Sequence, residues 1–362
     1  VIAAAAAEMH KGVNFNRPAA IELECAQQFM RCVPNHDCVK FTKDGSAATS
    51  AAIKLARAHT GRALVGICVD QPFFSSEDWF IGTTAVNAGV PQQIQDLTVG
   101  FRYNDLDSLR ELFAAHPGQI AAIIMEASRT EEPLPGYLAG VQSLCRDAGV
   151  ILILDEMITG FRFAVGGAQT VYGITPDLAT FGKAMANGFS LSALTGRREL
   201  MELGGLQHDR ERVFLLSTTH GAETHAMAAG MATMEEYLTR PVIETLYARG
   251  ARLREGVNRH IQNLGVGERF FLTGRDCSLQ FNTRDADGQP SQPFRTLFLQ
   301  ELLERGILAP SFGVSYSHAE TDIDATVDAV GEALQVYRTA LAEGVQHYLR
   351  GRPVKPVYRR YN

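Results

Sequence analysis

Three unbroken apolar runs, ALVGICV (63–69), IAAIIM (120–125) and GVILIL (149–154), constrain this chain more than any other feature. Each is short for a helix, and each reads as a strand buried on both faces. The segments between them have helical spacing instead. DLDSLRELFAAH (105–116) is amphipathic, with Asp105 or Asp107 as its cap, and a helix at about 137–148 ends at Gly149. Strands alternating with helices specify a mostly parallel sheet with helices on both faces, an α/β fold.

The flanking segments extend this order. Pro18 opens IELECAQQFMRCV as a helix, and CVKF (38–41) is a short apolar segment. DGSAATSAAIKLARAHTG (44–61) is a Gly/Ser turn followed by a helix that Gly61 closes. Beyond residue 220 come helices at 224–238 and 241–263, a strand at 269–282, the polar turn NTRDADGQP, and helices at 294–305 and 322–345. The expected organisation is a large α/β domain over 1–250, with a helical entry at 1–40, and a smaller α+β domain over 251–362. Residue 1 is Val, and a helical pattern (Ile2–Lys11) starts at once without a cap, so a longer parent protein is expected.

Composition narrows the function. The formal net charge is −6 and no basic run occurs, which argues against nucleic acid as a partner. No apolar stretch approaches the ~18 residues of a membrane-spanning helix. Val1–Ala7 is too short for a secretory core and lacks a basic flank. The six Cys are scattered, as expected of reduced thiols in a cytoplasmic protein.

Ligands of open parallel sheets bind at the carboxyl ends of the strands, and here Asp70, Glu126 and Asp155 end strands. ILILDE (151–156) reads first as a nucleotide-hydrolysis strand, with Asp155 on magnesium and Glu156 on water. That reading needs a GxxxxGK[ST] loop. Gly182-Lys183 is followed by Ala184, and Asp177 stands where the first Gly is required. Lys183 itself follows the apolar LATF (178–181) amid small residues, the setting of either a solvated loop Lys or a Schiff-base amine. The turn Asp44-Gly45-Ser46-Ala47 at a helix start is either an ordinary cap or a phosphate site. Together the three fit pyridoxal phosphate: an acid for the pyridine nitrogen, a Lys for the aldehyde carbon, and a helix start for the phosphate.

At this point FTKDGSAATSAAIKLARAHTGR, ILILDEMITGFR, TPDLATFGKAMANGFSLSALTGRRELM and STTHGAETHAMAAGMATM resemble the class III, fold-type I pyridoxal phosphate aminotransferases. The subgroup they are most similar to is the glutamate-1-semialdehyde aminomutase-like one, from about residue 8 to about 340. The resemblance implies a homodimer whose cofactor alternates between pyridoxal and pyridoxamine phosphate. It implies Lys183 as the Schiff-base residue and Asp155 as the partner of the pyridine nitrogen. Gly45, Ser46 and Ala47 would form the phosphate turn, and Met157 would pack under one ring face. Glu126 matches an acid at the adjacent strand end. Thr219 would reach across the dimer to the partner subunit's phosphate. The resemblance also implies several tens of residues ahead of Ile2, forming part of the small domain and the substrate entrance.

This sequence departs from the family in places. Asp44 stands where Ser is usual, and Ala47 where Glu is common. In QPFFSSEDWFIGTT (71–84), Phe73 takes the position of a stacking Tyr and Phe74 that of a His. These changes favour an aminotransferase moving nitrogen between an amino donor and an aldehyde or keto acceptor. The alternatives are a 1,2-aminomutase and a catalytically inactive binding or structural dimer. Cys32, His36 and Cys38 are spaced too irregularly for zinc, so no metal is expected. His220, beside Thr219, is a candidate to approach cofactor or substrate, while His225 opens a helix and reads as structural. The mixed charges of 235–260 read as a solvated face, and the basic tail GRPVKPVYRRYN as packing on its own dimer.

Overall fold

The structure is a computed structural model and describes residues 1–71, 73–214, 221 and 223–357. Seven strands form the central sheet: β1 (Cys38–Thr42), β2 (Leu64–Cys68), β3 (Thr98–Phe101), β4 (Ile120–Met125), β5 (Ile151–Asp155), β6 (Leu178–Phe181) and β7 (Ser192–Gly196). Their order is β1-β7-β6-β5-β4-β2-β3. All neighbouring pairs from β3 to β6 are parallel, and β7 alone runs against both of its neighbours. The connection Gly182–Leu191 explains the reversal: it is too short for the crossover that a parallel pairing needs.

Alternate residues of the strands feed two separate cores. Leu178 and Leu194 face one core, with Ala52, Ile53 and Leu55 of the Gly45–Thr60 helix. Ala179, Phe181 and Ala193 face the other, with Phe29 of the Ala20–Cys32 helix and Met227 and Met234 of the Thr224–Thr239 helix. Phe29 meets Phe181 edge-on with ring centroids 5.5 Å apart. The apolar runs are therefore strands covered on both faces, as their composition requires. Asp105 is the cap of the Leu106–Ala115 helix, accepting the Ser108 N–H at 2.9 Å.

The chain divides into two units. One contains Val1–Arg129 and Pro133–Arg240; the other contains Thr130–Glu132 and the chain from Pro241. The division falls after Arg240, not near residue 250, because the Val242–Leu264 helix is continuous and Pro241 starts it. In the second unit, the strand expected at 269–282 is an antiparallel pair, β8 (Phe270–Thr273) and β9 (Gln280–Thr283). Gly274, at φ +81°, breaks the run. Phe270, Phe281 and Phe298 build the aromatic core of this unit, with the Phe270 and Phe298 centroids 4.6 Å apart.

Candidate active site

The carboxyl ends of β4, β5 and β6 open onto a cavity of about 360 Å³. Its lining includes Gly45, Ser46, Phe73, Glu126, Asp155, Met157 and Lys183. Of the residues singled out from sequence for the site, Thr219 and His220 lie outside the described residues. Ala47 does not line this cavity; its N–H is occupied by the Asp44 carboxylate at 2.9 Å, which caps the helix.

Asp155 ends β5 and is buried. Its Oδ1 accepts the Met157 N–H at 2.9 Å and the Thr180 hydroxyl at 3.2 Å. The second bond follows from register, since Asp155 pairs with Thr180 across β5 and β6. Burial pushes its carboxyl up to about 6, against the opposing pull of these donors and of Lys183 and Arg129. Glu126, just past β4, is also buried. Burial, with the Asp155 charge added, pushes its carboxyl up to about 8, and Arg129 and Lys183 oppose the shift. Its Oε2 has no hydrogen-bond partner. Gln71 clamps its backbone from both sides, accepting the Glu126 N–H at 2.8 Å and donating to its C=O at 2.7 Å.

Lys183 follows β6 in the left-handed region, at φ +46°, a conformation that costs a non-Gly residue on the order of 1–3 kcal/mol and clusters at functional sites. Glycines on either side of Met157 leave its side chain where it is, and a Cβ at either would force it to shift. A Cβ on Gly45 would lie 2.9 Å from the Met157 Sδ, and one on Gly182 would lie 2.7 Å from it. The Gly45–Thr60 helix begins at the cavity wall, where first-turn N–H groups have no intrahelical acceptor. The Ser46 hydroxyl there accepts the Ser76 N–H at 2.9 Å.

Both phenylalanines line the cavity and both meet Phe80 edge-on, at 5.6 and 5.7 Å, but Phe73 is 47% exposed whereas Phe74 is buried. Glu156, adjacent to Asp155, serves structure. Its carboxylate accepts from Ala168 N, Gln169 N and the Thr159 hydroxyl, and so caps the Ala168–Tyr172 helix. Both of its oxygens are engaged in holding that helix start, rather than aimed at the cavity, whose lining does not include Glu156. Asp70 is also occupied, by the Tyr103 N–H at 2.8 Å. His36 Nε2 lies 3.1 Å from Gln169 Oε1, and among the described residues no three His, Cys, Asp or Glu side chains are grouped to hold a metal ion. His225 lies in the Thr224–Thr239 helix, its ring edge-on to Phe189.

Sequence reasoning missed Arg129, Ile158 and Ser192, which also line the cavity, and the hydrogen-bonding supports Gln71, Ser76 and Thr180. Thr180 carried a readable signal, as the one polar residue in LATF. Arg129 carried none, because SRTEE has the look of a solvated loop.

The chain matches the aminotransferase class-III family over residues 1–319. It is 33% identical over 360 residues to a glutamate-1-semialdehyde 2,1-aminomutase of Desulfitobacterium hafniense, an alignment covering 92% of this chain and 82% of that protein. Its fold is similar to the PLP form of the FumI protein of Sphingopyxis sp. MTA144, with a TM-score of 0.84 at 29% identity, over 94% of this chain and 80% of that one. An omega-transaminase from Sphaerobacter thermophilus gives the same TM-score of 0.84 at 27% identity, over 93% and 82% of the two chains. The sheet order, the cavity at the strand ends and these likenesses agree: the chain belongs to the class-III aminotransferase family.

Proposed function

We propose that this protein is a pyridoxal phosphate-dependent aminotransferase that moves an amino group between an amino donor and an aldehyde or keto acceptor. One observation carries the reading: Lys183, Asp155 and the start of the Gly45–Thr60 helix line the same cavity. The residues fit the cofactor by their chemistry. Glu126 offers a buried, unpartnered oxygen, the glycines leave room beside Met157, and the helix start offers N–H donors to a phosphate. When bound, the cofactor supplies an electron-withdrawing ring conjugated to the carbon that loses its proton.

The chain's own residues divide the remaining work. Lys183 Nζ is the attachment point and, once displaced by the amino donor, the base that carries the proton. Asp155, held by Met157 N and Thr180, presents a fixed carboxylate to the ring nitrogen. Met157 and Phe73 bound the ring on its two faces, Glu126 meets its polar edge, and Gly45 and Ser46 form the phosphate turn. Thr219 of each subunit completes its partner's phosphate site in a homodimer, a reading supported by the exposed Leu206 and Phe214 in the same stretch of chain. Six cysteines outside any disulfide support a cytoplasmic location.

A 1,2-aminomutase is the second reading, favoured by the name of the Desulfitobacterium relative. Single-turnover absorbance separates the two. An amino donor given alone to the loaded protein should yield stoichiometric keto or aldehyde product and bleach the visible band, which an added acceptor restores. Isomerisation of an amino aldehyde with no donor would favour the mutase. A loaded protein inert to every donor and amino aldehyde would contradict both.

A further inference from the structure

Arg129 is a cavity residue with no part in the chemistry above. It lines the same cavity as Lys183 and Asp155, and its side chain is 37% exposed, so the guanidinium meets both the cavity and solvent. Its nearest acid is Glu126, with Nη1 3.8 Å from Oε2, beyond hydrogen-bond length. Among the described residues none accepts a hydrogen bond from it, which leaves a planar fork of N–H donors unspent.

The surroundings attract that charge without giving it a hydrogen-bonded acid: it acts on Glu126 and Asp155 only through space. Glu126 is fixed through its backbone by Gln71, so its carboxyl is not drawn freely toward Arg129. The charged groups acting on Glu126 are Asp155 and Glu156, which favour its protonated form, and Arg129 and Lys183, which favour the ionised one. Burial outweighs the two cations and favours the protonated Glu126, and at 3.8 Å the guanidinium makes no hydrogen bond to it. Once the Lys183 amine is spent on the cofactor, Arg129 is the remaining cation among the described lining residues.

We propose that Arg129 docks a carboxylate of the substrate, so that this enzyme takes amino and keto acids in preference to amines and aldehydes lacking an acid group. The inference rests on the amino-transfer reading and deepens it. A guanidinium pairs with a carboxylate through two parallel N–H···O bonds, which adds orientation as well as affinity. An acid bound there would lie in the same cavity as Lys183.

The test is calorimetric titration of the cofactor-loaded protein with succinate, a carboxylate probe that carries no amine and cannot react. Arg129→Gln should weaken succinate binding by about tenfold or more, the loss of a charge-assisted hydrogen-bond pair. Arg129→Lys, which keeps the charge, should recover part of it, and neither variant should bind the uncharged succinamide differently from the parent. Unchanged succinate affinity in Arg129→Gln would overturn the inference, as would a parent protein that binds no succinate. Loss of cofactor uptake in both variants would assign Arg129 to the cofactor and overturn it too. Failure of the underlying amino-transfer reading has a different signature, a parent protein that takes up no pyridoxal phosphate at all.

Discussion

Glu126, Asp155 and Glu156 are three buried acids whose carboxyls burial pushes up to about 8, 6 and 7. A raised acid binds its proton more tightly in the folded chain than in the unfolded one. Its stabilising contribution is complete below the ordinary value, 4.5 for Glu126, and is lost as pH rises toward the folded value of about 8. The cofactor-free protein should therefore melt at a lower temperature at about pH 9 than at about pH 5. Glu126→Gln should narrow that gap by several degrees, raising the melting temperature at the alkaline end only. An equal shift at both pH values would contradict the assignment. At this scale, Lys183 and Asp155 were legible because a Lys among small residues and an acid ending an apolar run have few other uses. Arg129 was not legible, since a loop arginine becomes a site residue only when the fold turns it into a cavity. The environment of Ala47 was hidden for a related reason: its N–H is spent on the Asp44 cap, and a sequence does not show which donor in a turn is occupied.

Secondary-structure elements were legible in proportion to how strongly their residues repeat one pattern. β4 and β5 are buried at every position and read directly as apolar runs. β3 (TVGF) is a short edge strand, only one of whose residues is buried, so it offers no apolar run to read. β7 (SALTG) is fully buried yet built from small and polar residues, so burial there comes from tight packing between β1 and β6 rather than from hydrophobic content. The single strand expected at 269–282 contained Gly274 and a turn of 3₁₀ helix at Asp276–Ser278, which make it two strands. Helix ends were better marked. Asp44 and Gly61 bound the Gly45–Thr60 helix through side-chain and left-handed caps, and these are local chemical signals.

For the whole molecule, the sheet order brings distant parts of the sequence to one rim. Gly45, Glu126, Asp155 and Lys183 belong to separate elements that converge at the same cavity. The proposed dimer belongs to this scale as well. Leu206 and Phe214 are 78% and 73% exposed, a cost that burial in a subunit interface would remove. Sedimentation at micromolar concentration should give twice the 39.5 kDa chain mass, whereas a fully active, cofactor-loaded monomer would refute the shared phosphate site. The central claim is that the cofactor is held covalently at one lysine. The most direct measurement is borohydride reduction of the pyridoxal phosphate-loaded protein, followed by proteolysis and peptide mass mapping. The account predicts a stable cofactor adduct on the peptide carrying Lys183, absent from Lys183→Ala; an adduct on another lysine, or none, would contradict it.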